Sequence, residues 1–347
     1  MQLARLGAPL FVAFATVAAG CGGDDDDATA TTTAPATTAP SAAAFPATVE
    51  HALGTTVVDS EPQRVVTVGV TEQDFVLALG VTPAGVTDWY GDQPFATWPW
   101  AQDELGAAEP TVLVNKDGLD FEGIAALDPD VIIGTNAGLD DESYGKLTAI
   151  APTIAHPKGA PLYFSPWDEQ FRLIGAALGK DAETTQVIDD IDAQFAAARQ
   201  AHPEFAGQQA IFLQNAIYDG SAIAYQKGLS TEFLTDLGFD VPSELDAFAT
   251  EGQAFIPLEQ LSVLDNADVL LWGTEAPADR TALEAEPLYN TLEEVRDGKL
   301  VFTDGVTAGA IYFTSPLSLP FVLDHLVPAL ASTMAGNGPA TIDASAG

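Results

Sequence analysis

Ala126-Leu127-Asp128-Pro129-Asp130-Val131-Ile132-Ile133-Gly134 compresses a helix end, a turn and a strand into one short stretch. The run from Val131 to Ile133 has no polar alternation, which suits a parallel strand buried on both faces. Upstream, Phe121 to Leu127 reads as a helix and Asp128-Pro129-Asp130 as the turn that ends it. Further upstream, Val65-Val66-Thr67-Val68-Gly69 reads as a β-branched strand and Glu72 to Leu79 as a short amphipathic helix. Gly80-Val81-Thr82-Pro83 stops that helix, and Ala84 to Val86 is a second strand. This is an α/β alternation, and it bounds a first lobe at about residues 47–165.

The same sentence recurs downstream. Glu259 stands before Leu264-Asp265-Asn266-Ala267-Asp268-Val269-Leu270-Leu271 as Glu122 stands before the first stretch. Ala210 to Leu213 reads as a strand, Thr231 to Leu237 as a helix stopped by Gly238, and Val269 to Trp272 as another apolar strand. A second lobe therefore spans about 205–333, and 334–347 reads as a frayed tail. Between the lobes, Phe171, Ile174 and Leu178, then Val187, Ile188, Ile191 and Phe195, recur at helical spacing, with Gly179 as the break. Residues 166–204 are thus a helical connector. Two α/β lobes joined by a helix imply a cleft between them.

The N-terminus reads differently. An apolar run from Leu6 to Val17 leads to Ala18-Ala19-Gly20-Cys21, and Cys21 is the sole cysteine of the chain. One cysteine so placed makes no structural disulfide; the pattern resembles a bacterial lipobox, in which the cysteine is lipidated and becomes the mature N-terminus. An ordinary secretory signal also has an apolar core and a small-residue cleavage site. Ala18 where the lipobox usually has Leu, and Arg5 as the single early cation, depart from the pattern. The run is shorter than the ~20 residues that cross a bilayer. Residues 1–20 are read as the signal. Residues 21–46, with Asp24 to Asp27 and a Thr/Ala/Pro stretch, have little to bury and are read as a disordered tether. The expected location is the outer face of the cell membrane, by a lipid on Cys21.

The net charge is −38, from 50 acidic and 12 basic residues, spread along the chain. Such a surface excludes nucleic acid as a partner, because phosphate binding needs a basic face. It fits solubility outside the cell or a salty habitat. Catalytic signatures are missing: no Gly-x-Ser-x-Gly elbow, phosphate-binding loop, Cys-x-x-Cys or His-Glu-x-x-His occurs. His51, His156, His202 and His325 lie far apart with no second ligand at helical or hairpin spacing, so no metal site and no cofactor is expected.

His51-Ala52-Leu53-Gly54-Thr55-Thr56, Pro62-Gln63-Arg64-Val65-Val66 and Leu79 to Val86 occur in order, followed by Ala126 to Ile132, Tyr144 to Thr153 and Ile174-Gly175-Ala176-Ala177-Leu178-Gly179. Together they resemble the iron-siderophore and cobalamin class of substrate-binding proteins of ABC importers, over about 47–333. Tyr90-Gly91-Asp92-Gln93, Trp98-Pro99-Trp100 and Ser315 to Pro320 look like its actinobacterial ferric-siderophore branch. The resemblance implies two Rossmann-like lobes with central, mostly parallel sheets and a long connector helix. It implies a monomer that takes a ferric siderophore in the cleft and hands it to a membrane permease, with Glu122 and Glu259, one on each lobe, docking there. Two carboxylates on rigid lobes also set a distance, which fits docking. A cobalamin or haem receptor of the same class, or a metal-dependent enzyme on the same scaffold, are the alternatives; the lack of cysteine in the lobes argues against the enzyme.

Aromatic residues are the candidate ligand contacts, because a bulky chelate with an apolar edge is held by flat amphipathic surfaces. Trp89, Tyr90, Trp98 and Trp100 fall just beyond a strand end, where open α/β sheets place ligands. In the second lobe Tyr218 and Tyr225, read as loop residues around Asp219-Gly220-Ser221, join Trp272 and Tyr312, each as well suited to core as to cleft. Trp167 opens the connector as a packing residue or as the cleft floor. Arg280, read in a polar loop from Glu275 to Thr281, is the basic residue placed to meet a ligand oxygen; a surface pair with Glu284 is the alternative. With so few cations near these aromatics, burying a multiply negative complex is costly, so a neutral or cationic hydroxamate complex is expected over an anionic catecholate.

Overall fold

The unalternated apolar runs become the centres of two sheets in the computed structural model, which describes residues 44–115, 118–250 and 252–344. Strands β1 (Ala47–His51) and β2 (Gly54–Val58) form an antiparallel ribbon. The first lobe then alternates: β3 (Val65–Thr67), α1 (Glu72–Ala78), β4 (Gly85–Thr87), α2 (Gln102–Leu105), β5 (Thr111–Leu113), α3 (Phe121–Ala126), β6 (Val131–Gly134), α4 (Asp141–Thr148) and β7 (Thr153–Ala155). Its sheet is wholly parallel in the order β5-β4-β3-β6-β7, with Val66 opposite Ile132. Strand order reverses between β3 and β6, so a crevice opens beyond their carboxyl ends. There Val68, Gly69 and Asn136 donate their N–H groups to the buried Glu72 carboxylate at 3.1, 2.7 and 2.6 Å. Burial pushes that carboxyl up to about 8 while the N–H donors pull the other way.

Two helices follow, α5 (Trp167–Leu178) and α6 (Asp181–Ala201). Phe171, Ile174 and Leu178 of α5 pack into the first lobe's core with Val65 and Phe75, and so does Phe45 at the end of the expected tether. Ile188 of α6 joins that core, whereas Ile191 and Phe195 join the core of the second lobe. One helix, about 30 Å long by its rise per residue, is thus embedded at its two ends in different lobes.

The second lobe contains β8 (Ala210–Tyr218), β9 (Ser221–Tyr225), α7 (Glu232–Asp236), β10 (Ala249–Thr250), β11 (Gln253–Pro257), β12 (Val269–Gly273), α8 (Pro277–Ala285), α9 (Glu293–Asp297), β13 (Leu300–Phe302), α10 (Gly305–Tyr312), α11 (Ser318–Met334) and β14 (Ala340–Thr341). Its sheet runs β10-β11-β9-β8-β12-β13-β14. Strands β8, β12, β13 and β14 are parallel, but β8–β9, β9–β11 and β10–β11 are antiparallel, so this sheet is half antiparallel rather than mostly parallel. The cause is local. Asp219 and Gly220 both take positive φ, 48° and 78°, which is the two-residue hairpin turn that Asp-Gly favours. The segment read as a loop around Tyr218 and Tyr225 is therefore a hairpin. Nor are the described residues of the C-terminal tail frayed: Ala340 pairs with Val301, and Ile342 donates its N–H to Phe302 O at 2.8 Å.

The lobes share a core. Leu77, Trp98, Trp100, Ala101 and Leu105 of the first lobe pack with Ile311, Leu319 and Val322 of the second. A Cβ on Gly309 would stand 2.7 Å from the Trp98 ring, so α10 admits that ring only with glycine there. Beside it, the buried Asp74 carboxylate of α1 accepts from Trp100 Nε1 and from Ser315 Oγ, each at 2.7 Å, and Ser315 belongs to the second lobe. Burial pushes this carboxyl up to about 6, against both donors. The unfolded group titrates near 3.8, so stability linked to Asp74 is complete below about pH 4 and is lost as pH rises through 6. We expect the urea-unfolding stability gap between the wild type and Asp74→Asn to shrink by about 3 kcal/mol from pH 4 to pH 8; a gap independent of pH would remove Asp74 from this role.

Candidate ligand-binding cleft

A cavity of about 470 Å³ lies between the lobes. Its floor is the start of α5, where Trp167 and Gln170 project. Thr71 and Asn136 reach it from the β3 and β6 strand ends, with Tyr90 and Phe164 beside them. Asn136 is fixed by its own amide, which donates to Val70 O at 2.9 Å and accepts from Phe164 N at 2.8 Å. The second lobe supplies Phe212, Gln214, Tyr225 and Tyr312, then Phe313, with Glu232 and Glu275 as the charged groups. Among the described lining residues there is no Lys, Arg or His.

The aromatic wall is ordered in layers. Phe212 and Tyr225 stack at 5.0 Å, and Tyr312 leans on both while donating its Oη hydrogen to Gly273 O at 2.9 Å. Phe313 meets Tyr90 and Phe164 across the mouth at 5.7 and 6.1 Å between ring centroids. Tyr90 also donates to the Glu275 carboxylate, so a side chain of one lobe is tied to a side chain of the other. Burial, then that carboxylate, hold the Tyr90 phenol above its usual range; burial does the same for Tyr225 and Tyr312. All three phenols therefore stay protonated, and the Tyr90 and Tyr312 hydrogens are spent on Glu275 and on Gly273 O. Glu232 is raised by partial burial and by Asp236 and Asp168. The arrangement offers flat apolar area, uncharged polar groups and negative charge. Among the described residues no cluster of His, Cys, Asp and Glu is able to hold a metal.

Tyr90, Tyr225 and Tyr312 are the sequence candidates that line this cavity. Trp98 and Trp100 do not: they are 3% and 8% exposed, stack on each other at 4.9 Å, and stand behind Tyr90, which stacks on Trp98 at 6.0 Å. Trp89 is in the same supporting layer, its Nε1 bonded to Ala96 O at 2.9 Å. Trp272 is wholly buried and packs on Tyr289, because alternation along β12 turns it to the sheet face opposite Leu271. Tyr218 is 74% exposed at the hairpin end. Arg280 stands in α8 rather than a loop, bonded to Glu284 Oε1 at 2.7 Å and to Thr341 Oγ1 at 2.9 Å, over the Phe302 ring. Glu122 and Glu259 are exposed near the start of α3 and of the 3₁₀ segment Leu258–Asn266. Cys21 lies outside the described residues. The residues that pattern reading missed are Gln170, Gln214, Asn136, Phe164, Glu232 and Glu275. Phe164 had a signal: Leu162-Tyr163-Phe164 is an apolar run in a Gly/Pro loop, half exposed in all three residues.

Two α/β lobes that share a core and hold a walled cleft between them define a solute-binding protein. The chain belongs to the periplasmic binding protein family, which residues 65–307 match. It is 45% identical to a periplasmic solute binding protein of Mycobacterium smegmatis, with a TM-score of 0.78 over 83% of this chain and 98% of that one. The Streptococcus pneumoniae PiaA structure, in complex with ferrichrome, is 25% identical, with a TM-score of 0.68 over 83% of this chain and 99% of the other. The probable siderophore-binding lipoprotein YfiY of Bacillus subtilis is 27% identical over 76% of this chain and 83% of its own. The iron-siderophore class of substrate-binding proteins that the sequence resembles is the class these relatives represent, and the chain is a binding protein and not an enzyme.

The layering predicts a contrast in stability. Trp98→Ala removes a ring buried in the seam and should cost about 3–5 kcal/mol in urea unfolding. Tyr218→Ala should stay within about 0.5 kcal/mol. Equal effects would contradict the placement of the two rings.

Proposed function

We propose that the protein is a lipid-anchored receptor that binds a neutral or cationic ferric hydroxamate siderophore in the cleft and delivers it to an ABC importer permease. The observation that carries this reading is the cavity itself: aromatic walls, uncharged phenol and amide groups, two carboxylates and no described cation among the lining residues. A trianionic catecholate complex would lose its hydration there without gaining an opposite charge, whereas a neutral or cationic complex avoids that cost. The ferrichrome held by the PiaA relative supports a hydroxamate. The lipoprotein relative supports an anchor at Cys21.

The ligand class is tested by titrating the purified protein with ferrioxamine and with ferric enterobactin, followed by tryptophan fluorescence and calorimetry. Ferrioxamine is expected to bind tighter, by at least about tenfold. Tighter binding of the trianionic complex overturns the reading. Trp167, the indole on the cavity wall, should carry a large share of the quenching, so Trp167→Phe should reduce the signal more than Trp272→Phe does.

Docking is tested in cells. Glu122→Lys with Glu259→Lys should abolish uptake, with ligand affinity of the purified double variant within about twofold of wild type, since these exposed carboxylates are not among the cavity-lining residues. Lost affinity in the purified variant would assign the pair to the fold or the ligand. Cys21→Ser should release the protein into the medium.

A further inference from the structure

Gln214 and Gln253 both line the cavity, and strand register brings them to one face of the second sheet. Gln253 of β11 lies opposite Tyr225 of β9, and Gln214 of β8 lies opposite Ile223, two residues earlier on β9. Residues two apart on a strand share a face, so both amides stand on the side that carries the Phe212–Tyr225 stack. After Gln214 the pairing of β8 shifts, with Asn215 at a φ of 49°. A bulge at that point ends the ladder beside the cleft and fixes how the last paired side chain is aimed.

The hydrogen bonds of the pair leave a defined remainder. Gln253 Nε2 donates to Gln214 Oε1 at 3.3 Å. Gln253 also donates to the Tyr225 phenol, which draws that group's pKa down against the larger effect of burial. Both hydrogens of Gln253 Nε2 are thereby committed. Gln214 Nε2 keeps its two hydrogens and Gln253 Oε1 keeps its lone pairs, without a partner among the described residues; neither atom is enclosed, and the residues that carry them face the cavity. The remainder is therefore one uncharged donor and one uncharged acceptor, held in register by the bond between the two side chains. An N-substituted hydroxamate on iron offers oxygens alone, which suit the donor. The acceptor calls for an N–H, and a secondary amide supplies both an N–H and a carbonyl oxygen.

We propose that Gln214 and Gln253 form an amide-reading subsite, in which Gln214 Nε2 donates to a carbonyl oxygen of the ligand and Gln253 Oε1 accepts from a secondary amide N–H in the linkers between its iron-binding groups. This rests on the reading of the protein as a ferric hydroxamate receptor and narrows it to complexes with amide-containing linkers. The two contacts fall on one amide or on successive amides of a linker, while the chelate lies against the aromatic wall. Gln253 has a second role as the positioning residue that orients Gln214.

The test uses two neutral ferric trihydroxamates of the same ring size: ferrioxamine E, whose linkers contain secondary amides, and its analogue with an ester oxygen in place of each amide N–H. Calorimetric titration of the wild type should favour the amide ligand about tenfold. Gln253→Met should bring the ratio to about one, whereas Gln253→Glu, which keeps an acceptor oxygen, should retain the preference. Gln214→Met should weaken both ligands by about the same factor. Thermal unfolding of each variant checks that it folds. A ratio of one in the wild type, with both complexes bound, overturns the subsite and leaves the receptor reading intact. A preference that survives Gln253→Met, or one that is lost equally in Gln253→Met and Gln253→Glu, overturns it too, because the acceptor oxygen is then not its source. If neither complex binds, the hydroxamate reading falls and the subsite falls with it.

Discussion

The Trp98 ring seated against Gly309 makes the two lobes one packed object. Without a side chain on that helical residue, α10 comes close enough for the indole to be enclosed by both lobes. Everything nearer the ligand depends on this seam. Trp98 backs Tyr90, Tyr90 meets Phe313, and the Asp74 bridge to Ser315 fixes the turn that leads from α10 into α11. The cleft is therefore bounded by side chains whose positions are set by close packing rather than by a loop's average conformation. The α6 strut acts in the same sense from the other end, because moving one lobe against the other would pull Ile188 or Phe195 out of its core.

A buried seam of this kind includes a charge where hydrophobic packing alone would be simpler. Asp74 has two donors on Oδ2 and none on Oδ1. A carboxyl raised toward neutrality at that junction does not have to carry a full charge into the interior. The negative groups at the cleft are placed differently. Tyr90 and backbone N–H groups neutralise part of the Glu275–Asp279 pair, but Glu232 is left with like charges for company. Structural acids and cleft acids are thus separated by what faces them.

Periodicity made most of the architecture legible. Val131 to Ile133 and Val269 to Trp272 are the parallel strands that their unbroken apolar runs imply, and the connector helices fall within 166–204 and break at Gly179 as expected. What periodicity does not carry is the side of a buried strand on which a given residue falls. Both faces of β12 are apolar, so Trp272 on one and Leu271 on the other look alike in the sequence. The same limit applies to Trp98 and Trp100, where the Pro between them rules out a regular helix interior without saying whether the rings face solvent or the other lobe. The polar cleft residues were harder still, since Gln170 and Glu232 sit in ordinary helical pattern positions and become notable only when the lobes meet. The hairpin at Asp219-Gly220 carried a signal that the loop reading passed over, since that dipeptide between apolar runs marks a tight turn.

The short β14 strand has a consequence of a different kind. Strand β13 would otherwise end the seven-stranded sheet with a free rank of backbone donors and acceptors, the type of edge along which separate chains stack. Val301 and Phe302 instead pair with Ala340 and Thr341, and Arg280 ties Thr341 down from α8. The last residues of the fold serve as a self-supplied guard strand. Colloidal persistence would then depend on a few residues far from the cleft, and a chain shortened before β14 would be expected to self-associate before it lost its cleft.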